Sequence, residues 1–202
     1  MRMYVQARRR TAEETRVGAV QAAAAPGGDT PWRRRPVLWA LAGLVSGLPL
    51  AAAGAALPGE PVAWPTVRLL DGRSVDATHW QGQLVVVVFW STTCPFCRRH
   101  NHHVEKLHRA AQAAGAPLRV LGVARDRDAA TVQRYAKAQG YSFEITQDVD
   151  PLAAALAPRN LIPQTAVVGR GGRLVQVLPG EMFEEDVMEL LDLARTEPKA
   201  RS

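Results

Sequence analysis

The sequence predicts an α/β fold in which a mixed central β-sheet is flanked by helices on both faces. Three observations lead there. Leu84 to Trp90, LVVVVFW, is an unbroken run of β-branched and aromatic residues that ends in polar Ser91, the pattern of a strand buried on both faces. Further apolar stretches alternate along the chain with segments of helical periodicity. The last two strands are separated by Gly171-Gly172, which makes them a hairpin.

Taken in order, Thr66 to Leu70, Asp71-Gly72 and Arg73 to Val75 predict a short N-terminal β-hairpin with a D-G turn. Asp76 caps a brief helix through Trp80, and Gly82 leads into the buried strand. Beyond it, Pro95 suits the first turn of a helix. Val104, Leu107, Ala111 and Ala114 follow three or four apart, the spacing of a face laid against the sheet. Leu118 to Ala124 is a second apolar strand, and Asp128 caps a helix that ends near Gly140. Phe143 to Thr146 reads as a short strand and Pro151 to Ala157 as a short helix. Thr165 to Val168 and Arg173 to Leu178 form the hairpin. Phe183 to Arg195 closes the chain as an amphipathic helix with Val187, Leu190, Leu191 and Ala194 inward. Trp80 and Trp90 sit in apolar settings beside element boundaries and are expected in the core.

The chemistry lies where the buried strand gives way to the helix. Cys94 and Cys97 are the only two cysteines among 202 residues. The attacking form of cysteine is the thiolate, which unpaired N–H groups at a helix start favour, so Cys94 should be acidic and reactive. Cys97, three residues on, is placed to close a disulfide with it, so the pair can cycle between dithiol and disulfide. Cys94 would attack and Cys97 resolve. A static disulfide is the plain alternative. Half of a zinc site is another, which would need ligands from His79, His100, His102, His103 or His108.

The formal charge is +6, but it is unevenly spread. Residues 1–56 hold 8 Lys/Arg against 3 Asp/Glu, and residues 57–202 hold 17 against 16. A globular part so nearly balanced offers no broad basic surface for phosphate backbones, so no nucleic-acid partner is expected. Residues 1–35 are basic and lack a sustained apolar stripe, and read as disordered. Arg33, Arg34 and Arg35, the uncharged segment from Pro36 to Pro58, and Ala53, Gly54, Ala55 and Ala56 have the three parts of an export signal. Ala53-Gly54-Ala55 would place cleavage before Ala56. Uncut, residues 36–56 are long enough to anchor the protein in a bilayer. Arg34-Arg35-Pro36-Val37-Leu38 also resembles the core of a twin-arginine signal. Each version places a thiol-active domain, residues 57–202, outside the cytoplasm, where disulfides persist.

Four segments in order, LLDGRSVDATHWQGQ, LVVVVFWSTTCPFC, VARDRDAATVQRYAKAQG and LIPQTAVVGRGGRLV, resemble the thioredoxin-like fold. Within it they are similar to the TlpA-like or redoxin group of extracytoplasmic thiol-disulfide oxidoreductases, over about residues 58–196. The third segment matches the strand-helix insertion that separates this group from plain thioredoxin. The resemblance implies that Pro163, after Ile162, is the cis-proline beside the disulfide, where the backbone of the preceding residue pairs with an extended substrate peptide. A trans proline at the start of a strand is the alternative. It also implies a periplasmic reductase of protein disulfides, with apocytochrome c or a copper-site protein as substrate type and a membrane thiol-disulfide reductant of the DsbD type to recharge it. An oxidase would use the same two cysteines.

The chain departs from the group's pattern at several positions. Thr93 stands where Trp usually precedes the first cysteine, and Val88 replaces the buried carboxylate of thioredoxin. His100 takes the place of a Glu that members in cytochrome maturation carry, and His102 that of a proline. Neutral His100, one turn beyond Cys97, is a candidate to take the proton of the resolving thiol. A histidine that merely packs is the alternative. His100 and His103, at i and i+3, could instead bind copper or zinc in a metal chaperone. A peroxiredoxin-type peroxidase would want Thr and Pro where Ser91 and Val87 stand. No nucleotide, haem or flavin motif is visible, so no cofactor beyond the dithiol is expected.

Overall fold

The computed structural model describes residues 55–156 and 159–197, all within one unit of the chain, Pro49–Ser202. In chain order its elements are β1 (Val67–Arg68), β2 (Ser74–Val75), α1 (Ala77–Trp80), β3 (Leu84–Trp90), α2 (Pro95–Ala113) and β4 (Leu118–Ala124). They continue with α3 (Ala129–Gln139), β5 (Glu144–Thr146), α4 (Val149–Leu156), β6 (Gln164–Val168), β7 (Leu174–Pro179) and α5 (Glu184–Thr196). Apart from Ala55 and Ala56, the segments expected to be a disordered tail and a signal or anchor, 1–35 and 36–56, lie outside the described residues. Among the described residues no helix is long and apolar enough to cross a membrane.

Every residue of β3 is buried, as its composition requires. It pairs parallel with β4 from Leu84↔Leu118 to Trp90↔Ala124, and antiparallel with β6 from Val85↔Val168 to Phe89↔Gln164. The five strands run β5-β4-β3-β6-β7, with β1 and β2 a separate small hairpin. The period of two along β3 divides the core. Leu84, Val86, Val88 and Trp90 pack with side chains of α2, α3 and α5, while Val85, Val87 and Phe89 pack with Trp80 of α1, Leu152 and Leu156 of α4, and the small hairpin.

Helix signals behave as their chemistry dictates. The Asp76 carboxylate accepts from the Thr78 amide, and that of Asp128 from the Ala130 and Thr131 amides. Gly140 ends α3 at φ 72°, a left-handed conformation that favours glycine. One inward expectation is corrected. Ala114 is the exposed C-cap of α2, because the helix ends at Ala113 and the chain turns there toward β4. Trp80 and Trp90 are both buried. Trp90 lies against Tyr135 and Tyr141 at ring-centroid distances of 5.8 and 5.9 Å.

Gly122, at the middle of β4, makes room for that aromatic cluster. A Cβ there would come within 2.8 Å of Phe143 Cε2 and 2.9 Å of Trp90 Nε1, and neither ring has a free end to swing aside. Gly122→Ala is expected to cost about 1–3 kcal/mol of stability through overpacking, read as a lower urea midpoint with an unchanged m-value. No loss would mean that the cluster has slack.

Candidate active site

Because β3 and β4 are parallel and β6 runs against β3, the C-terminal ends of β3 and β4 and the start of β6 share one edge of the sheet. The chain leaves β3 at Trp90, turns through Ser91-Thr92-Thr93 and enters α2. Asp126, just past β4, ties that turn down. Its carboxylate accepts from the Thr92 amide at 3.0 Å and from the Thr92 hydroxyl at 2.5 Å. Cys94 is the N-cap of α2 in extended backbone conformation, with Pro95 in the first turn. The Cys97 amide donates to Cys94 Sγ at 3.1 Å, a donor in place to hold a thiolate.

Cys94 and Cys97 form a disulfide, with Cα atoms 5.2 Å apart. The two sulfurs have unequal surroundings. Cys94 is half-buried at the edge, whereas Cys97 is fully buried in the packed cluster beneath α2. An attacking sulfur needs access and a resolving one needs only its neighbour. Beside them the Ile162–Pro163 peptide is cis, and the Pro163 carbonyl accepts from the Gly180 amide at 2.8 Å. Phe96, between the cysteines, is 56% exposed. The Arg99 guanidinium lies over its ring, 5.0 Å from the centroid, and is itself gripped by Glu181 through two bonds of 2.8 and 2.6 Å.

His100 turns inward and is wholly buried. The Met182 amide donates to Nδ1 at 3.2 Å, which leaves the proton on Nε2, and Nε2 donates to Thr165 Oγ1 at 3.0 Å. Burial lowers its pKa to about 4, with repulsion from His103 a second cause and Glu181 acting the other way. Thr165 faces Val88 across β3 and β6, so this pair stands on the same face of the sheet as the position of thioredoxin's carboxylate. The i, i+3 histidines have separate partners. His103 Nδ1 faces Glu184 at 3.3 Å, and among the described residues no group of three or more His, Cys, Asp or Glu side chains could hold a metal ion.

The turn-holding Asp126, the His100 partners Thr165 and Met182, and the Arg99–Glu181 pair carry little signal in the sequence. Their contacts span 34, 65 and 82 residues, and no local spacing announces them. Thr165, two residues past Pro163, was the one within reach, since strand alternation puts it on the face under α2.

Residues 58–177 match the family model described as AhpC/TSA family. The chain belongs to this family. Within it, the chain is a TlpA-like redoxin and a thiol-disulfide oxidoreductase. The thiol-disulfide oxidoreductase ResA of Halalkalibacterium halodurans is 30% identical over 128 residues, 63% of this chain and 72% of that protein. ResA of Bacillus subtilis is 21% identical over 125 residues, 62% and 69% respectively. Among solved structures, the thioredoxin-family thiol:disulfide interchange protein of Chlorobium tepidum superposes with a TM-score of 0.62 at 21% identity, over 70% of this chain and 99% of that one. A secreted thiol-disulfide isomerase of Corynebacterium glutamicum gives 0.61 at 26%, over 66% and 85%. The thioredoxin fold of the oxidoreductase is thereby established.

The buried imidazole makes stability depend on pH. In the unfolded chain His100 binds a proton near pH 6.5, whereas in the fold it resists protonation until about pH 4. The unfolded state therefore holds more protons between these values, and stability falls as pH drops through that window. The expected loss from this group is at most about 3 kcal/mol. Urea titrations of the native protein and of His100→Gln at pH 7 and pH 4.5 should show a shallower decline in the variant. Parallel declines would mean that the ring is protonated in the fold.

Proposed function

We propose that the oxidoreductase works outside the cytoplasm as a reductase of protein disulfides, with Cys94 attacking and Cys97 resolving. The observation that carries this reading is the contrast between the two sulfurs, one half-exposed at a helix N-cap beside a cis-proline and the other sealed beneath the helix. The Cys94 thiolate attacks one sulfur of a substrate disulfide, forming a mixed disulfide and releasing the other sulfur as a thiolate. Cys97, deprotonated, then attacks Cys94 Sγ and releases the second substrate thiol. Two electrons and two protons pass to the substrate, and the enzyme is left as the disulfide. A membrane thiol-disulfide reductant of the DsbD type returns it to the dithiol.

A protein substrate fits the open edge. Cys94 is half-exposed at that edge and Phe96 beside it is exposed, so a large partner can bring a disulfide to the sulfur. Pro163 holds the loop where an extended peptide would lie against Ile162. The extracytoplasmic address rests on the arginine cluster and uncharged segment at residues 33–58, with membrane attachment through residues 36–57 if that segment is uncut. Secretion is named for the relative from Corynebacterium glutamicum. Substrates of the apocytochrome c or copper-site type follow from the resemblance to TlpA-like proteins.

His100 enters this reading as a positioning residue. Its Nδ1 lone pair is held by the Met182 amide and its low pKa makes it a weak base, so it braces α2 against β6 and the loop before α5. His100→Gln should leave the pH profile of Cys97-dependent resolution unshifted while slowing the step. A displaced profile would restore the base role.

Cys97→Ser should accumulate a mixed disulfide with substrate, visible on a non-reducing gel, and Cys94→Ser should accumulate none. Trapping by both variants alike would sink the assignment of roles. The direction is read from the reduction potential of the pair against glutathione or dithiothreitol. A value near or below about −270 mV supports a reductase, and one near about −120 mV makes the protein an oxidant.

A further inference from the structure

The edge that bears the disulfide is unusually rich in arginine for a domain whose charges nearly cancel. The turn 91–94 with the start of α2, residues 95–99, meets the connections 125–128, 159–163 and 180–183 there, while the acidic first turn of α5 that follows, Glu184, Glu185 and Asp186, sets Glu184 against His103 and Lys106 further along α2. The edge stretches hold Arg98, Arg99, Arg125, Arg127 and Arg159 against Asp126, Asp128 and Glu181. Each of these acids is already engaged. Asp126 accepts from Thr92, Asp128 caps α3, and Glu181 holds Arg99. Arg125 is half-buried over the Phe89 ring and donates to Asn160. Arg98, Arg127 and Arg159 are exposed, and among the described residues none of them forms an ion pair. Asp148 and Asp150, beyond β5, lie at the same edge but two strands from β3, and Asp148 accepts from the Arg68 amide.

We propose that this edge selects protein substrates whose reacting cysteine lies in an acidic segment, with Arg98, Arg127 and Arg159 as the selecting charges. The proposal rests on the disulfide-exchange reading above and names its substrate class. Three exposed cations on segments at the edge that carries the half-exposed sulfur create a field that raises the local concentration of an anionic segment and speeds encounter. Phe96, exposed between the cysteines, gives the same segment an apolar floor. The arginines also favour the Cys94 thiolate, but that effect is common to every substrate. It therefore cancels in a comparison between substrates.

The test uses the reduced full chain and three peptides, each with one cysteine disulfide-linked to a chromogenic thiol and flanked by Glu, Ser or Lys. Flanking charge alters the intrinsic reactivity of a disulfide, so each rate is divided by that of the same peptide with dithiothreitol. The acidic peptide should react about tenfold faster than the basic one at low salt. The gap should close to about twofold in 1 M salt, where the screening length is about 3 Å. In the combined variant Arg98→Gln, Arg127→Gln, Arg159→Gln the gap should close without salt, with the Ser-flanked peptide still turned over. Equal normalised rates, or a preference for the basic peptide, would overturn the charge selection and leave the oxidoreductase standing. A gap that survives in the variant would overturn the assignment to these arginines. No reaction with any peptide would overturn the exchange reading itself.

Discussion

The redox edge depends on β3 being buried on both faces. A strand with no solvent side cannot slip in register without moving every side chain into the wrong layer. Its pairing with β4 and β6 is fixed along its length. The place where the chain emerges at Trp90 is then fixed too, and with it the turn that carries Cys94. Apolar burial on this scale contributes roughly 1.5–3 kcal/mol for each large side chain, far more than any contact at the edge. The chemistry is exposed because the strand that delivers it is not.

Finer placement comes from a few polar contacts that cross between elements. Asp126 holds the turn from the β4 side, and His100 joins α2 to β6 and to the Met182 amide. A buried imidazole with both nitrogens engaged is stable only while neutral. Its low pKa and its enclosure between α2, β6 and the Met182 amide therefore go together. This chain has Val88 at the position of thioredoxin's carboxylate and an uncharged polar pair, His100 with Thr165, on the neighbouring strand and helix.

What the sequence discloses divides along the range of the interaction. The β3 run, the D-G hairpin, the aspartate caps, the stripe of α5 and the strand-to-helix seat of the cysteines are local patterns, and the fold repeats them within a residue or two. His100 shows the limit. Helical spacing puts it on the face of Cys97, but the groups that hold its nitrogens lie 65 and 82 residues away. Spacing alone therefore does not show which groups engage its nitrogens. Ala114 fails for a related reason, since the apolar period continues one step past the residue at which the helix ends.

The burial of Cys97 bears on damage as well as turnover. A peroxide reaching the edge meets Cys94 first and would convert its thiolate to a sulfenic acid. The shielded thiol next to it can then displace hydroxide, giving water and the same Cys94–Cys97 disulfide that ordinary turnover leaves behind. An accident with an oxidant thus ends in the disulfide that exchange itself forms, ahead of the irreversible acids that a lone exposed cysteine would go on to form.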